Sequence, residues 1–231
     1  MSNFTFVTGL WDIGRGNLDN TSQNHDWKRS LETYKNRLEE LLSTGLNIVV
    51  FGEDLEDLTV KYTNCKFYYY PKSNFYTEFP YFEKINTIRQ SKEWYDQPAA
   101  QWLKSSPQAQ LELYIPIQLS KILLIKKTSI LNPFNSSRFY WLDAGVTKTH
   151  NTNLLSKMCD SLLKYDKFIF MSLHYTANTE IHGFLREGVH KYCNKNFVDR
   201  IMKGFFFGGS IEKLDEILAV YNSIISQSLD E

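Results

Sequence analysis

The sequence predicts an α/β fold built on a mixed, mainly parallel sheet flanked by helices. Three observations predict it. The chain opens strand–helix–strand, later apolar runs are nearly continuous, and amphipathic helical patterns fill the intervals.

Phe4-Thr5-Phe6-Val7-Thr8-Gly9-Leu10 alternates β-forming residues and reads as the opening strand. Gly14 and Gly16 break the next segment into a loop. Trp27, Leu31, Tyr34, Leu38 and Leu41 or Leu42 recur at helical spacing, predicting a helix over 27–43 with Asp26 as its cap and Gly45 as its stop. Asn47-Ile48-Val49-Val50-Phe51-Gly52 suits a strand buried on both faces. Cys65 to Tyr70, before Pro71, reads as a third strand.

From Phe82 to Lys127 the pattern is mostly helical, interrupted at Pro98, Pro107 and Pro116, where Pro116 either kinks a helix or starts one. Asn132 to Ser137 is a loop by composition. Arg138 to Leu142 is a strand running into Asp143-Ala144-Gly145, and Lys167 to Leu173 is a second buried strand. Lys203 to Ser210 reads as a short aromatic strand ending in a glycine pair. A last helix over 210–226, capped by Ser210, puts Ile211, Leu214, Leu218 and Tyr221 on one face. No internal repeat or long linker divides the chain, so residues 1–231 are read as one domain.

Composition narrows the function classes. A chain of 231 residues with 42% hydrophobic content can bury a large core. Sixteen Phe, 14 Tyr and 5 Trp supply that core and leave rings for a cleft that receives sugar faces. Twenty-six Lys plus Arg balance 26 Asp plus Glu, which argues against a nucleic-acid binder and for a small-molecule or neutral-polymer substrate. Cys65, Cys159 and Cys193 have no metal-ligand spacing and read as structural thiols in a reducing compartment. No signal pattern opens the chain, and no run reaches the roughly 18 apolar residues of a membrane span. The expected location is cytoplasmic, or the host cytoplasm if the source is viral.

Three segments carry candidate chemistry. Phe139-Tyr140-Trp141-Leu142-Asp143-Ala144-Gly145 delivers a carboxylate from a strand end, where ligands of open α/β sheets collect. Such a carboxylate can hold a hard divalent cation against a diphosphate, although an ordinary Asp turn has the same string. Thr8-Gly9-Leu10-Trp11-Asp12-Ile13-Gly14-Arg15-Gly16 can wrap a nucleotide, with Asp12 for base or ribose and Arg15 for phosphate; its glycines do not match GxGxxG, and a solvent loop also fits. Phe205-Phe206-Phe207-Gly208-Gly209-Ser210 can admit a substrate at a strand-to-helix turn, or it is a turn required by packing.

These segments, with Val49-Val50-Phe51-Gly52-Glu53, Lys121 and Asn132-Pro133-Phe134 between them, occur in an order that resembles the WlaTC/HtrL family. The likeness covers positions 4 to 226, and the Asp-Ile-Gly-Arg and Trp-Leu-Asp-Ala-Gly strings are its most specific parts. The resemblance implies a glycosyltransferase-A-like fold tied to surface-polysaccharide assembly. It implies transfer of a sugar from a nucleotide-sugar donor to a glycan or glycoprotein acceptor, assisted by Mn²⁺ or Mg²⁺. Asp143 stands where that fold has an Asp-X-Asp metal motif, but its third position here is Gly145. Thr8, Gly9, Leu10, Asp12, Arg15, Lys121, Ala144 and Gly145 are the implied donor-binding residues; Gly208 and Gly209 are expected on the acceptor side.

Relatives of this family are expected to continue past the last helix with an acidic segment that Asp230-Glu231 begins, so the chain is expected to be cut short there. Two other classes stay in view: a non-catalytic nucleotide-sugar-binding module, favoured by the missing second acid, and a sugar nucleotidyltransferase. His150, His174, His182 and His190 form no zinc pattern. His174, directly after a strand, is the best placed to reach a cleft and is assigned to the acceptor side. Glu53 and Asp54 either meet the nucleoside or form a solvated turn.

Overall fold

The opening alternation becomes β1 (Phe4–Leu10), which lies inside a six-stranded sheet in the computed structural model of the chain. The structure describes residues 4–19, 27–96, 104–148, 151–174, 180–181, 184–185 and 200–230. The other strands of this sheet are β2 (Ile48–Gly52), β3 (Cys65–Tyr69), β4 (Arg138–Leu142), β5 (Ile169–His174) and β8 (Arg200–Ser210). A separate antiparallel pair joins β6 (Glu180–Ile181) to β7 (Phe184–Leu185).

The strand order is β3-β2-β1-β4-β8-β5. β1, β2, β3 and β4 pair in parallel, whereas β8 is antiparallel to both its neighbours. β5 therefore runs with β4, and only β8 is reversed. This is the mixed, mainly parallel sheet that the sequence predicts.

Two helical layers cover the sheet because its central strands are apolar on both faces. Phe4, Phe6 and Leu10 point with Ile48, Val50, Tyr140 and Leu142 toward α1 (Leu31–Leu42) and α8 (Thr152–Leu162). Val7, Val49, Phe51, Phe139 and Trp141 point the other way. They pack on α3 (Ser73–Thr77), α4 (Phe82–Gln90), α7 (Tyr114–Leu131) and α9 (Ile211–Asp230). Each such side chain contributes about 1.5–3 kcal/mol by leaving water. Short helices α2 (Glu56–Thr59), α5 (Lys92–Asp96) and α6 (Pro107–Gln110) fill the connections.

Several local expectations change. α1 starts at Leu31, and its cap is Ser30, whose hydroxyl accepts the Thr33 N–H at 3.1 Å. Asp26, the expected cap, lies outside the described residues, as do Pro98, His150, His182, His190 and Cys193. Pro116 sits in the first turn of α7 and starts that helix, because a missing N–H costs nothing there. The β5 strand is an edge strand, not a buried one, with Phe170 36% and Leu173 47% exposed. The aromatic strand β8 is longer than expected at 11 residues, and α9 follows it without a loop. Among the described residues no helix is long and apolar enough to cross a membrane. Cys65 is a buried thiol whose pKa burial pushes up to about 12, which suits a structural role.

Candidate functional site

β1 and β4 are parallel neighbours, yet β2 lies on the far side of β1. Connections therefore leave the sheet in opposite directions at this point, and the chain ends splay apart. Open α/β sheets bind ligands in such crevices, beyond the carboxyl ends of the strands. A cleft of about 610 Å³ opens there, lined from Gly9 to Ile13 after β1 and from Asp143 to Val146 after β4.

The β1 wall is shaped by glycines. A Cβ on Gly9 would lie 2.3 Å from the Trp11 indole, so the ring folds back over the strand only because position 9 is bare. Trp11 is fixed there by its N–H, which donates to the Tyr70 carbonyl at 2.7 Å. Gly14 has φ of 80°, a left-handed turn that favours glycine. Its N–H donates to Asp12 Oδ1 at 3.0 Å, and this turn sends Arg15 into the cleft.

The β4 wall carries Asp143. Its N–H donates to the Phe205 carbonyl of β8 at 3.0 Å, which extends the sheet pairing by one residue and fixes the acid at the rim. Its Oδ1 accepts the Trp141 indole N–H at 2.5 Å and the Lys121 ammonium at 2.7 Å. Lys121 comes from the middle of α7 and is only 3% exposed. The ammonium passes 5.4 Å from the Trp141 ring centroid and also donates to the Gly204 carbonyl at 2.9 Å. Carbonyl, carboxylate and ring face together make a buried lysine tolerable.

The third wall comes from α1 and the segment before it. Tyr34 lies against Gly145, where a Cβ would meet its ring at 3.1 Å. The Tyr34 hydroxyl accepts Arg15 Nη1 at 3.0 Å and Arg29 Nη1 at 3.3 Å. The Arg37 guanidinium lies 5.9 Å from the same ring centroid. Arg15 also donates Nε–H to the Trp27 carbonyl at 3.1 Å and lies 5.7 Å from the Tyr114 ring centroid. Burial raises the Tyr114 phenol above its ordinary pKa, and nearby Arg15 partly offsets this.

The charge balance inside the cleft differs from that of the whole chain. Among the described residues, Arg15, Arg29, Arg37, Lys121, Lys148 and Lys203 line it, while the carboxylates that do so are Asp12 and Asp143. A neutral protein thus concentrates positive charge where its parallel strands end. Low-dielectric walls focus such a field on an incoming anion.

Of the residues expected at the site, Gly9, Leu10, Asp12, Arg15, Lys121, Asp143, Ala144 and Gly145 line the cleft. Thr8 does not. It is fully buried on the same face of β1 as Phe6, because strand side chains alternate, and its hydroxyl has no hydrogen-bond partner among the described residues. Gly208 and Gly209 also lie away from the cleft. They pair with Tyr140 and Phe139, near the start of β4, so antiparallel β8 carries them to the sheet edge opposite Asp143. His174 ends β5 at the correct edge but is exposed, lies outside the cleft and has Nε2 3.4 Å from Arg200. Glu53 holds Lys72, accepting its backbone N–H at 2.7 Å, and does not line the cleft. The sequence reading missed Tyr34, Arg29, Arg37 and Lys203. Tyr34 and Arg37 share one helix face at three-residue spacing, but Leu31, Leu38 and Leu41 mark that face as apolar.

Among the described residues, the side chains at this cleft do not make a resident Mn²⁺ or Mg²⁺ site. Among the described residues no group of three or more His, Cys, Asp or Glu side chains could hold a metal. Hard divalent cations favour several oxygen ligands, whereas Asp143 Oδ1 already takes two N–H donors and one Asp12 oxygen closes a turn. At Gly145, where the motif of the implied fold has its second acid, the space above Cα belongs to the Tyr34 ring.

This is an α/β protein with a basic cleft at the point where its strand order reverses. It belongs to a family described as bacterial proteins of unknown function, HtrL/YibB, whose model matches residues 2–230. No curated protein matches its sequence. Its coordinates are similar to the crystal structure of mouse xyloside xylosyltransferase 1 in its apo form, with 10% identity and a TM-score of 0.40. That match covers 92% of this chain and 69% of the mouse chain, and at this TM-score it assigns no residue here.

Proposed function

We propose that this protein is a glycosyltransferase that moves a sugar from a nucleotide-diphosphate-sugar donor to a hydroxyl of a glycan or glycoprotein. One observation carries the reading: a cleft at the strand-order reversal of a mainly parallel sheet, lined among the described residues by six cationic side chains and walled by aromatic rings. A nucleotide sugar needs both features. Its diphosphate needs positive charge, while its base and sugar offer flat faces to half-buried rings such as Trp27, Tyr34 and Tyr114.

In the reaction the acceptor oxygen bonds to the anomeric carbon as the bond from that carbon to the donor phosphate oxygen breaks. The electron pair leaves with the nucleoside diphosphate, and the hydroxyl proton passes to a base. Cations placed where the leaving charge grows lower the barrier, since they need no reorganisation as charge develops. Lys121 is the best held of them, with Asp143 and Gly204 fixing its ammonium at the rim. Asp143 is then a positioning residue for Lys121.

A panel of nucleotide sugars, with release of nucleoside diphosphate as the readout, tests the reading. One donor is expected to turn over, and Lys121→Ala is expected to slow it by about 100-fold or more. Failure to bind or turn over any donor would remove the basis for this function. The absence of a second acid at Gly145 favours a second reading, a binding module of the same architecture. Saturable donor binding without any release of nucleoside diphosphate would select it.

A further inference from the structure

We propose that arginines gathered on Tyr34 neutralise the donor diphosphate, so that binding requires no divalent cation. This rests on the transferase reading only for the identity of the anion. The charge arrangement stands on its own geometry. Arg15 and Arg29 both donate to one phenol oxygen, at 3.0 and 3.3 Å, and Arg37 lies over the same ring. None of the three guanidiniums is ion-paired with a carboxylate among the described residues. The Arg29 Nε–H is buried without a hydrogen-bond partner among those residues.

Three like charges held around one ring repel one another, and a buried donor left unpaired costs free energy. An oxyanion relieves both, because guanidinium forks match phosphate oxygens two at a time. A monoanion or neutral sugar would leave part of this field uncompensated; a diphosphate carries enough charge to answer it. Gly145 gives the ring its close seat. A Cβ there would press on Tyr34, whose hydroxyl brings Arg15 and Arg29 together. The bare position that deprives the turn of a second metal-binding acid is thus the one against which the ring of the arginine cluster packs.

Calorimetric titration of the whole protein with a set of nucleoside diphosphates, in excess EDTA and again with Mn²⁺, tests the proposal. The proposal expects at least one to bind in EDTA with a dissociation constant within about threefold of its value with Mn²⁺. Arg29→Gln should weaken that binding about tenfold, and Arg15→Gln similarly. Tyr34→Phe keeps the ring against Gly145 and removes only the phenol oxygen, so it should weaken binding without loss of fold, monitored by thermal unfolding. Binding that appears only with Mn²⁺, or that is indifferent to both arginine substitutions, overturns the proposal and leaves the transferase reading standing. No binding under either condition overturns both.

Discussion

Asp143→Ala is expected to destabilise the protein by about 2 kcal/mol and to reduce donor turnover about 100-fold or more. The two effects have one origin. Lys121 is 3% exposed, and the substitution leaves its ammonium with the Gly204 carbonyl and the Trp141 ring as partners. Breaking a fully buried pair costs roughly 3–5 kcal/mol. Asp143 retains 38% of its side-chain exposure, so water screens part of the interaction and the lower figure applies. The double variant Lys121→Met/Asp143→Ala separates fold from function. It removes the stranded charge and should recover most of the lost stability, measured by urea unfolding. Turnover should stay as low as in the single variant. Recovery of turnover along with stability would mean that the ion pair is only structural.

Gly208→Ala is expected to have the larger effect on folding, about 3 kcal/mol or more. Its Cβ would lie 2.1 Å from the Phe139 carbonyl oxygen and 2.6 Å from Tyr140 Cα. Both are backbone atoms of the central strand β4, which cannot move aside as the end of a flexible side chain can. At this chain length the melting temperature should fall by roughly 6–12 °C. Gly204→Ala is the control, since no atom lies within 4 Å of its Cβ position, and its cost should stay within about 0.5 kcal/mol. Equal melting temperatures for the two variants would show that β4 and β8 are not packed as described. Gly208 therefore has a packing role, the close pairing of β8 with β4.

The difference between these two glycine roles marks how far the sequence can be read. β2 and β4 were legible because continuous apolar runs have few alternatives in a chain of this size, and β1 because its β-forming residues alternate. Asp143 was legible because such a run ends in it, and Arg15 because glycines flank it after β1. Strand direction was not legible. Placing Gly208 and Gly209 at the ligand edge assumes that β8 runs with β4, and Phe205-Phe206-Phe207 looks the same either way. Lys203 was hidden by the same ambiguity, since antiparallel β8 brings its middle to the rim. Tyr34 fits the apolar stripe of α1, with Leu31 and Leu38, so periodicity assigns it to the core. Its ring does lie against that core, yet its hydroxyl stands in the cleft wall and holds two arginines. One side chain has two surroundings, and hydropathy reports only the apolar one.

Thr8 fails for a simpler reason. The resemblance carries residues over by position, whereas only the carboxyl end of the strand opens on the cleft. Gly9, Leu10 and Trp11 reach it, and Thr8, one residue earlier, is fully buried on the face of β1 that carries Phe6.

The most direct measurement is a crystal structure of the protein with a nucleoside diphosphate and no added metal. The diphosphate should lie in the crevice between the ends of β1 and β4, with its oxygens within hydrogen-bonding distance of Lys121 and of Arg15 or Arg29. A nucleotide seated elsewhere on the protein, touching none of those three side chains, would contradict the account.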